Sequence, residues 1–350
     1  MYDVEDFDKI FDNCRYSPAL VSAIQENQHV LGGRTFFERL LELLGIKCTD
    51  TSGTSPLPAV YRAADTNAGR RMYPPKDDAT FAELHTRIVA APITLHYKYC
   101  LVFYLLKDLS PSHHRDVEIA ADFAGNVHLD KRFWTFIEGI WELDHLAWET
   151  AVENLTYPGL IPTFPDEILM ALLGRGEKMG VGGAEGGKDA LPAAYFECVR
   201  PPLGSDAVRD KFARYMAQRN VTETYYWIRT RPDPEHYGLL EILFEQTLAQ
   251  APAPTAAVYP REVRAEELVG LPFTEEEEDW MEEFLTVGKG RTLRGAEDTV
   301  QLRRLAGGRF ADFAKEGVKG KKVDGVNWET LRDGVRRGVG GRIGEEGYVG

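Results

Sequence analysis

The chain has 350 residues, 43% of them hydrophobic and 11% aromatic, so it can bury one large core or two smaller ones. Its four cysteines are scattered without a CxxC pair, so the sequence suggests neither a disulfide framework nor a zinc site. The net charge of −14 is uneven, because residues 287–350 carry 14 Lys+Arg against 9 Asp+Glu, or +5, and the preceding residues carry −19. Such an acidic body binds nucleic acid poorly, and only the basic end of the chain is expected to touch phosphates, weakly.

The sequence predicts no secretory signal peptide and no membrane span. Residues Met1–Phe11 are acidic and lead into no apolar run of the kind found in signal peptides. The longest apolar run, Tyr99–Leu106, falls far short of the roughly 20 residues that cross a bilayer. We therefore expect a soluble, intracellular protein.

Apolar residues recur with helical spacing along most of the chain, and almost no segment alternates as a half-buried strand does. The stripes lie at residues 37–44, 81–89, 133–141, 148–155, 168–173, 208–216 and 240–244. Gly45 follows the first stripe and predicts the end of its helix. Tyr99–Leu106 is apolar on every side, which favours a fully buried helix between its helical neighbours.

Three prolines fall within eight residues of the stretch NLTYPGLIPTFPDEIL, namely Pro158, Pro162 and Pro165. Because proline cannot continue a helix, residues 156–163 are predicted to form a corner between two helices. Thr163 is suited to cap the second helix, and Pro165 to its first turn. Leu160 and Ile161 are expected to tuck apolar surface under the corner. Amphipathic helices joined by such elbows predict an all-α fold, an irregular α-solenoid of stacked antiparallel helices.

Changes in composition divide the chain into predicted segments. Residues 1–250 form the helical solenoid domain, and residues 251–273, which begin with the proline-rich APAPTAAVYP, form a linker. Residues 274–306 form an acidic helix and a short helical extension, and residues 307–350 form a glycine-rich, basic, mostly disordered tail. Residues 174–187 hold seven glycines, which is typical of a flexible excursion.

An enzyme is the alternative that the motifs raise. The stretch GGAEGGKD, residues 182–189, is one residue away from a P-loop, but Asp189 replaces the hydroxyl that binds Mg²⁺. Candidate metal ligands are the pairs Glu26 with His29 and Glu142 with His145, and the group His113, His114 and Asp116. Neither pair comes with the further glutamates that a di-iron bundle needs. We predict no catalytic, cofactor-binding or metal-binding residue.

The acidic run Glu275–Asp279 is typical of a solvated helix face. Trp280 and Phe284 follow it at i, i+4 spacing and therefore share one face of this short helix. These aromatic side chains either fold back on the main array or meet a partner. The sequence leaves both alternatives open, and Trp280 and Phe284 are the candidate partner-binding residues.

Three blocks carry a resemblance to a known family. The block LDKRFWTFIEGIWELDHLAWETAVENLTYPGLIPTFPDEILMALL, residues 129–173, resembles the ELYS-like helical domain of nuclear pore complex assembly proteins. The segment VTETYYWIRTRPDPEHYGLLEILFEQTL, residues 221–248, is similar to a second part of that domain, and LPFTEEEEDWMEEFL to the segment that follows it. The resemblance covers roughly residues 30–306, and the compact length resembles the short fungal forms.

The resemblance implies a non-enzymatic scaffold nucleoporin that docks on the Y-shaped complex of the nuclear pore. It implies subunits of that complex as partners, a location at the nuclear envelope, and support of pore assembly and of mRNA and protein transport. It implies no cofactor, no small-molecule substrate and no membrane insertion. Without the resemblance, the same physical features fit a generic α-helical adaptor outside the pore.

Overall fold

The computed structural model describes residues 4–12, 14–47, 71–110, 119–178, 190–249, 259–314 and 327–338. Of these described residues 72% are helical, and none of them forms a β-strand. The predicted all-α class is thereby confirmed. None of the described helices combines the length and the apolar character that crossing a membrane requires.

Contacts between residues divide the chain into two compact units. Unit 1 comprises Met1–Pro165 and Ala194–Arg200, and unit 2 comprises Asp166–Ala193 and Pro201–Gly350. This division does not follow the boundaries predicted from composition, which stay predictions.

Unit 1 holds eight complete helices in its described residues. They are α1 Phe7–Phe11, α2 Pro18–Val30, α3 Phe36–Leu43, α4 Asp78–Ala90, α5 Leu95–Leu109, α6 Ile119–Asn126, α7 Lys131–Asp144 and α8 Trp148–Leu155. Helix α9, Pro165–Lys178, begins at the boundary, and α10 spans Leu191–Val199. The central helix is α5, which packs against α4, α6 and α7. Its run Tyr99–Leu106 is buried throughout, as the apolar sequence predicts.

Local sequence signals explain the ends of α3 and the close packing of α7. Thr35 and Glu38 form a capping box at the start of α3, and Gly45 follows its end at φ +76°. The predicted helix end at Gly45 is therefore confirmed.

Helices α7 and α8 pack closely at Gly139, where an added Cβ would lie 2.8 Å from Cγ of Leu155.

The predicted corner lies between the end of α8 and the start of α9 at Pro165. Two details of the prediction are wrong. The hydroxyl of Thr163 donates to the carbonyl of Ile161, 3.3 Å away, and Phe164 separates Thr163 from the first residue of α9. Ile161 is 84% exposed rather than tucked under the corner. Because it precedes Pro162, its backbone is held away from the helical region, and its side chain cannot follow the apolar face of either helix.

Unit 2 is built around α13. Its helices are α11 Asp206–Arg219, α12 Val221–Ile228, α13 Asp233–Leu248, α14 Arg261–Gly270, α15 Glu275–Thr286, a 3₁₀ turn Lys289–Thr292, α16 Ala296–Ala306, α17 Phe310–Ala314 and α18 Trp328–Arg336. Helix α13 packs against α11, α12, α14 and α15.

Parts of two segments that were predicted to lack structure are helical. Helix α9 continues to Lys178, past the expected start of the flexible excursion, whereas residues 179–189 lie outside the described part of the chain. Within the predicted tail, α17 and α18 pack together through Phe313, Trp328 and Val335. The indole Nε1 of Trp328 also donates to a carboxylate oxygen of Asp298 on α16, at 2.7 Å. The small apolar cluster and this bond explain why the two short helices form.

Candidate protein-docking surface

An apolar groove opens on unit 1 between α3, α5, α7 and the elbow, residues 156–163. It encloses about 220 Å³. We call it the elbow groove, and the apolar side chains that line it include Leu40, Tyr97, Leu101, Phe133, Phe136 and Ile161. Helical spacing explains the lining, since residues four apart on α5 and three apart on α7 project from one face. The groove therefore combines helix faces with the exposed tip of the elbow.

The elbow presents apolar surface to solvent at a turn fixed by proline and glycine. Gly159 adopts φ +90°, a left-handed conformation that suits a residue without Cβ. Leu160 and Ile161 follow it and both line the groove. Together the exposed side chain and the apolar groove make this surface the candidate protein-interaction site.

One end of the elbow groove is electropositive. Helices α5 and α7 run parallel, because Tyr97 contacts Phe133 near both N-termini and Lys107 pairs with Glu138 at 3.0 Å farther along. Both positive helix ends therefore lie side by side, and neither helix has an acidic residue in its first turn. Arg132 lines the groove at this end.

Two further charges lie beside Arg132. Lys131 is stacked over the ring of Tyr157 at 5.5 Å. Asp130 caps α7 and pairs with Arg132, with 3.3 Å between Nε and Oδ1. The backbone and side-chain N–H groups of Arg132 hold the pKa of Asp130 below its ordinary value. The two cations outnumber this carboxylate, so the end of the groove stays positive.

Two buried carboxylates connect the three helices that form the walls of the groove. Asp144 of α7 accepts hydrogen bonds from the backbone N–H groups of Phe36 and Phe37 at the start of α3. It also accepts a hydrogen bond from the hydroxyl of Tyr104 on α5, at 2.9 Å. Asp108 of α5 accepts one from the indole N–H of Trp141 on α7, at 2.8 Å.

The same carboxylates are shielded from solvent and fully engaged. Tyr16 and Tyr73 donate their hydroxyls to Asp108 at 2.7 and 2.8 Å. Burial raises the pKa of Asp108, and it raises the pKa of Asp144 to about 7. Because the partners named here are all internal, we interpret this network as one that positions α3, α5 and α7, not as a reactive centre.

Sequence reasoning did not identify this network. Tyr73 lies in the stretch RRMYPPK, which reads as a basic loop, yet the side chain is 1% exposed. Asp108 offered a usable signal, because a carboxylate next to a buried apolar run must be hydrogen-bonded to be tolerated. Its partners could not be read from the sequence, since Tyr16 lies 92 residues away.

The two candidate partner-binding residues differ in their surroundings. Phe284 is 4% exposed and packs in the core of unit 2, 5.9 Å from the ring of Phe244. Trp280 is half-buried, and its ring packs perpendicular to that of Tyr237, with 5.4 Å between the ring centroids. This placement favours the fold-back alternative for Phe284. A partner contact through Trp280 stays a prediction.

The acidic run is only partly a solvated face. Glu275, Glu276 and Asp279 are exposed, as expected. Glu277 is buried, completes a capping box with Thr274, and accepts hydrogen bonds from Tyr225 and Arg229. Glu278 pairs with Arg303 at 2.6 Å. These two carboxylates hold α15 in place, a role that charge patterning alone did not indicate.

The candidate metal ligands do not form a site where the structure describes them. Glu142 accepts a hydrogen bond from the amide of Asn154 at 2.8 Å, and the ring of His145 stacks on Trp141. Among the described residues, no three His, Cys, Asp or Glu side chains group as metal ligands. The group His113, His114 and Asp116 and the near P-loop at 182–189 lie outside those residues.

Helical units with an exposed apolar groove are typical of proteins that act by binding other proteins. The model of the family described as ELYS, nuclear pore complex assembly, matches residues 34–288, and the chain therefore belongs to that family. The resemblance inferred from the sequence is thereby confirmed. That family is described as one of nuclear pore complex assembly.

The chain is also similar to a curated relative. The chain is 23% identical to the protein ely5 of Schizosaccharomyces pombe over 182 residues. The alignment covers 51% of this chain and 55% of the relative, so it spans about half the length of each.

Proposed function

We propose that this protein is a non-enzymatic scaffold nucleoporin that docks on the Y-shaped complex of the nuclear pore. It supports pore assembly and nucleocytoplasmic transport of mRNA and protein, and it resides at the nuclear envelope. The observation that carries the proposal is the family match over residues 34–288. The match includes the whole elbow groove and the acidic helix α15.

The helix packing supports a scaffold role. In unit 2 the successive helices α11, α12 and α13 pack on one another, and in unit 1 α7 packs on α8. We propose that such packing of neighbours continues as an irregular α-solenoid within each unit. Stacked helices of this kind expose long surfaces, which suit a protein that joins other subunits.

The proposal is tested with the full chain. A fluorescently tagged copy should give a continuous nuclear rim, and the purified protein should co-migrate with the purified Y-shaped complex on size exclusion. A diffuse signal together with separate elution would overturn the assignment to the pore. A generic helical adaptor outside the pore would then be the better account.

The enzyme alternative is tested separately. Titration calorimetry with ATP and Mg²⁺ should show no specific heat, and metal analysis should show no stoichiometric iron or zinc. Either signal would contradict the non-enzymatic assignment. ATP binding would then indicate a site at residues 182–189, and bound metal would indicate the Glu–His pairs as ligands.

A further inference from the structure

We propose that the elbow groove binds an amphipathic helix of a pore scaffold subunit, whose apolar side chains fill the groove and whose acidic residues face Arg132 and Lys131. The inference rests on the proposed function and assigns it to one surface of unit 1. It therefore predicts both where the partner binds and which residue types it uses.

The shape and lining of the groove fit a protein segment. A volume of about 220 Å³ lies below the roughly 300–1,000 Å³ of small-molecule pockets. The lining is mostly apolar, and Arg132 is the charged side chain in it. Ile161 projects from the elbow with 84% of its surface exposed, so a partner that enters the groove also covers this side chain.

The charge at the groove identifies the polar part of the partner. Residues 1–286 carry a net charge of −19, so a positive end on this surface is a local exception. It combines Arg132 and Lys131, which outnumber the capping carboxylate of Asp130, with the N-terminus of α5, which has no side-chain cap. Acidic residues placed there by a partner gain from the cations and from the dipole of α5. A basic segment would be repelled at the same position.

The buried network farther along the same three helices supports tight binding. Asp144 joins α7 to α3 and α5, and Asp108 joins α5 to α7, so all three helical walls are held before a partner arrives. A preorganised surface loses less conformational entropy on binding. We therefore expect binding energy to concentrate in this groove, with Ile161 as one of its dominant contacts.

Two substitutions test the proposal, with one matched control. Ile161→Asp puts a charge in the apolar contact, and Arg132→Glu reverses the charge at the positive end. Val263→Asp, on α14 of unit 2, alters another exposed apolar side chain, which is 42% exposed. The probe is the purified Y-shaped complex, titrated with each full-length variant at low and high salt. Thermal unfolding of each variant checks that it folds.

The expected result is a specific loss of affinity. Ile161→Asp and Arg132→Glu should each weaken binding at least about ten-fold at an unchanged melting temperature. Arg132→Glu should also reduce the salt dependence of binding. Val263→Asp should bind as the wild type does. A photoreactive amino acid at position 161 should crosslink to an amphipathic, acidic segment of the complex.

Other results test the groove assignment and the scaffold function separately. If the wild type binds the complex and both groove variants bind equally well, the groove assignment is overturned and the scaffold function stands. If the wild type does not bind the complex, both the groove assignment and the scaffold function are overturned. Crosslinking of position 161 to another copy of this chain would overturn the proposed partner in favour of self-association.

Discussion

The carboxylate of Asp144, the last residue of α7, lies 2.6 Å from the backbone nitrogen of Phe36, the first residue of α3. The first N–H groups of a helix have no partner within the helix, so this bond caps α3 from a position 108 residues away. The wall of the elbow groove that α3 provides is thereby tied to the wall that α7 provides.

Asp144→Ala should destabilise unit 1. The substitution leaves the N–H groups of Phe36 and Phe37 and the hydroxyl of Tyr104 without their buried acceptor, which should cost about 2–4 kcal/mol. Urea denaturation followed by near-ultraviolet circular dichroism measures this loss. Asp130→Ala is the control, because it removes an exposed cap of α7 and should therefore cost less stability than Asp144→Ala does. Equal losses for the two variants would contradict the structural role of Asp144.

Asp144 should also make stability depend on pH. Burial raises its pKa to about 7 in the folded state, above the ordinary pKa of the unfolded chain. Its contribution is therefore fully present below about pH 4 and is lost as the pH rises through about 7. The fall in melting temperature between pH 5 and pH 8 should be smaller in Asp144→Asn than in the wild type.

Two other carboxyl groups define the controls for this pH experiment. Burial raises the pKa of Asp108 as well, so some fall in stability with rising pH should remain in Asp144→Asn. The pKa of Asp130 is lowered, so its contribution has the opposite sign and is lost as the pH falls. Asp130→Asn should not reduce the fall in melting temperature above pH 5. If the melting temperature falls equally with pH in the wild type and in Asp144→Asn, this pH dependence does not arise from Asp144.

Gly290→Ala should destabilise unit 2. A Cβ at position 290 would lie 2.3 Å from Cε1 of Phe284, so the buried ring must move, at a cost of about 1–3 kcal/mol. Gly238→Ala is the matched control, because a Cβ there meets nothing within 4 Å. In the helix interior it should raise stability by about 0.5–1 kcal/mol. Thermal unfolding of both variants measures the difference, and a neutral Gly290→Ala would show that the ring packs elsewhere.

Alanine at positions 280 and 284 should separate packing from partner binding. Phe284→Ala removes a core side chain and should cost about 3–5 kcal/mol of stability. Trp280→Ala removes a half-buried ring and its contact with Tyr237, which should cost about 0.5–1.5 kcal/mol. We expect Trp280→Ala to weaken co-migration with the Y-shaped complex while the protein stays folded. Unchanged co-migration would remove Trp280 from the docking surface.

Most of the helices could be predicted because their signals are local. Apolar spacing, the glycine after α3 and the proline at the start of α9 act within a few residues, and the structure confirms each of them. The corner at 156–163 was predictable for the same reason. The specific block at 129–173 also resembled the family to which the chain belongs.

The tertiary structure alone decided which of these faces are covered. An apolar stripe shows that a helix face avoids water, but not whether its own chain or a partner covers it, which is why Phe284 was ambiguous and Ile161 was placed wrongly. The elbow groove and the Asp144 network join residues that are about 100 positions apart. Such contacts leave no period in the sequence, because their geometry depends on how α3, α5 and α7 pack after the helices have formed.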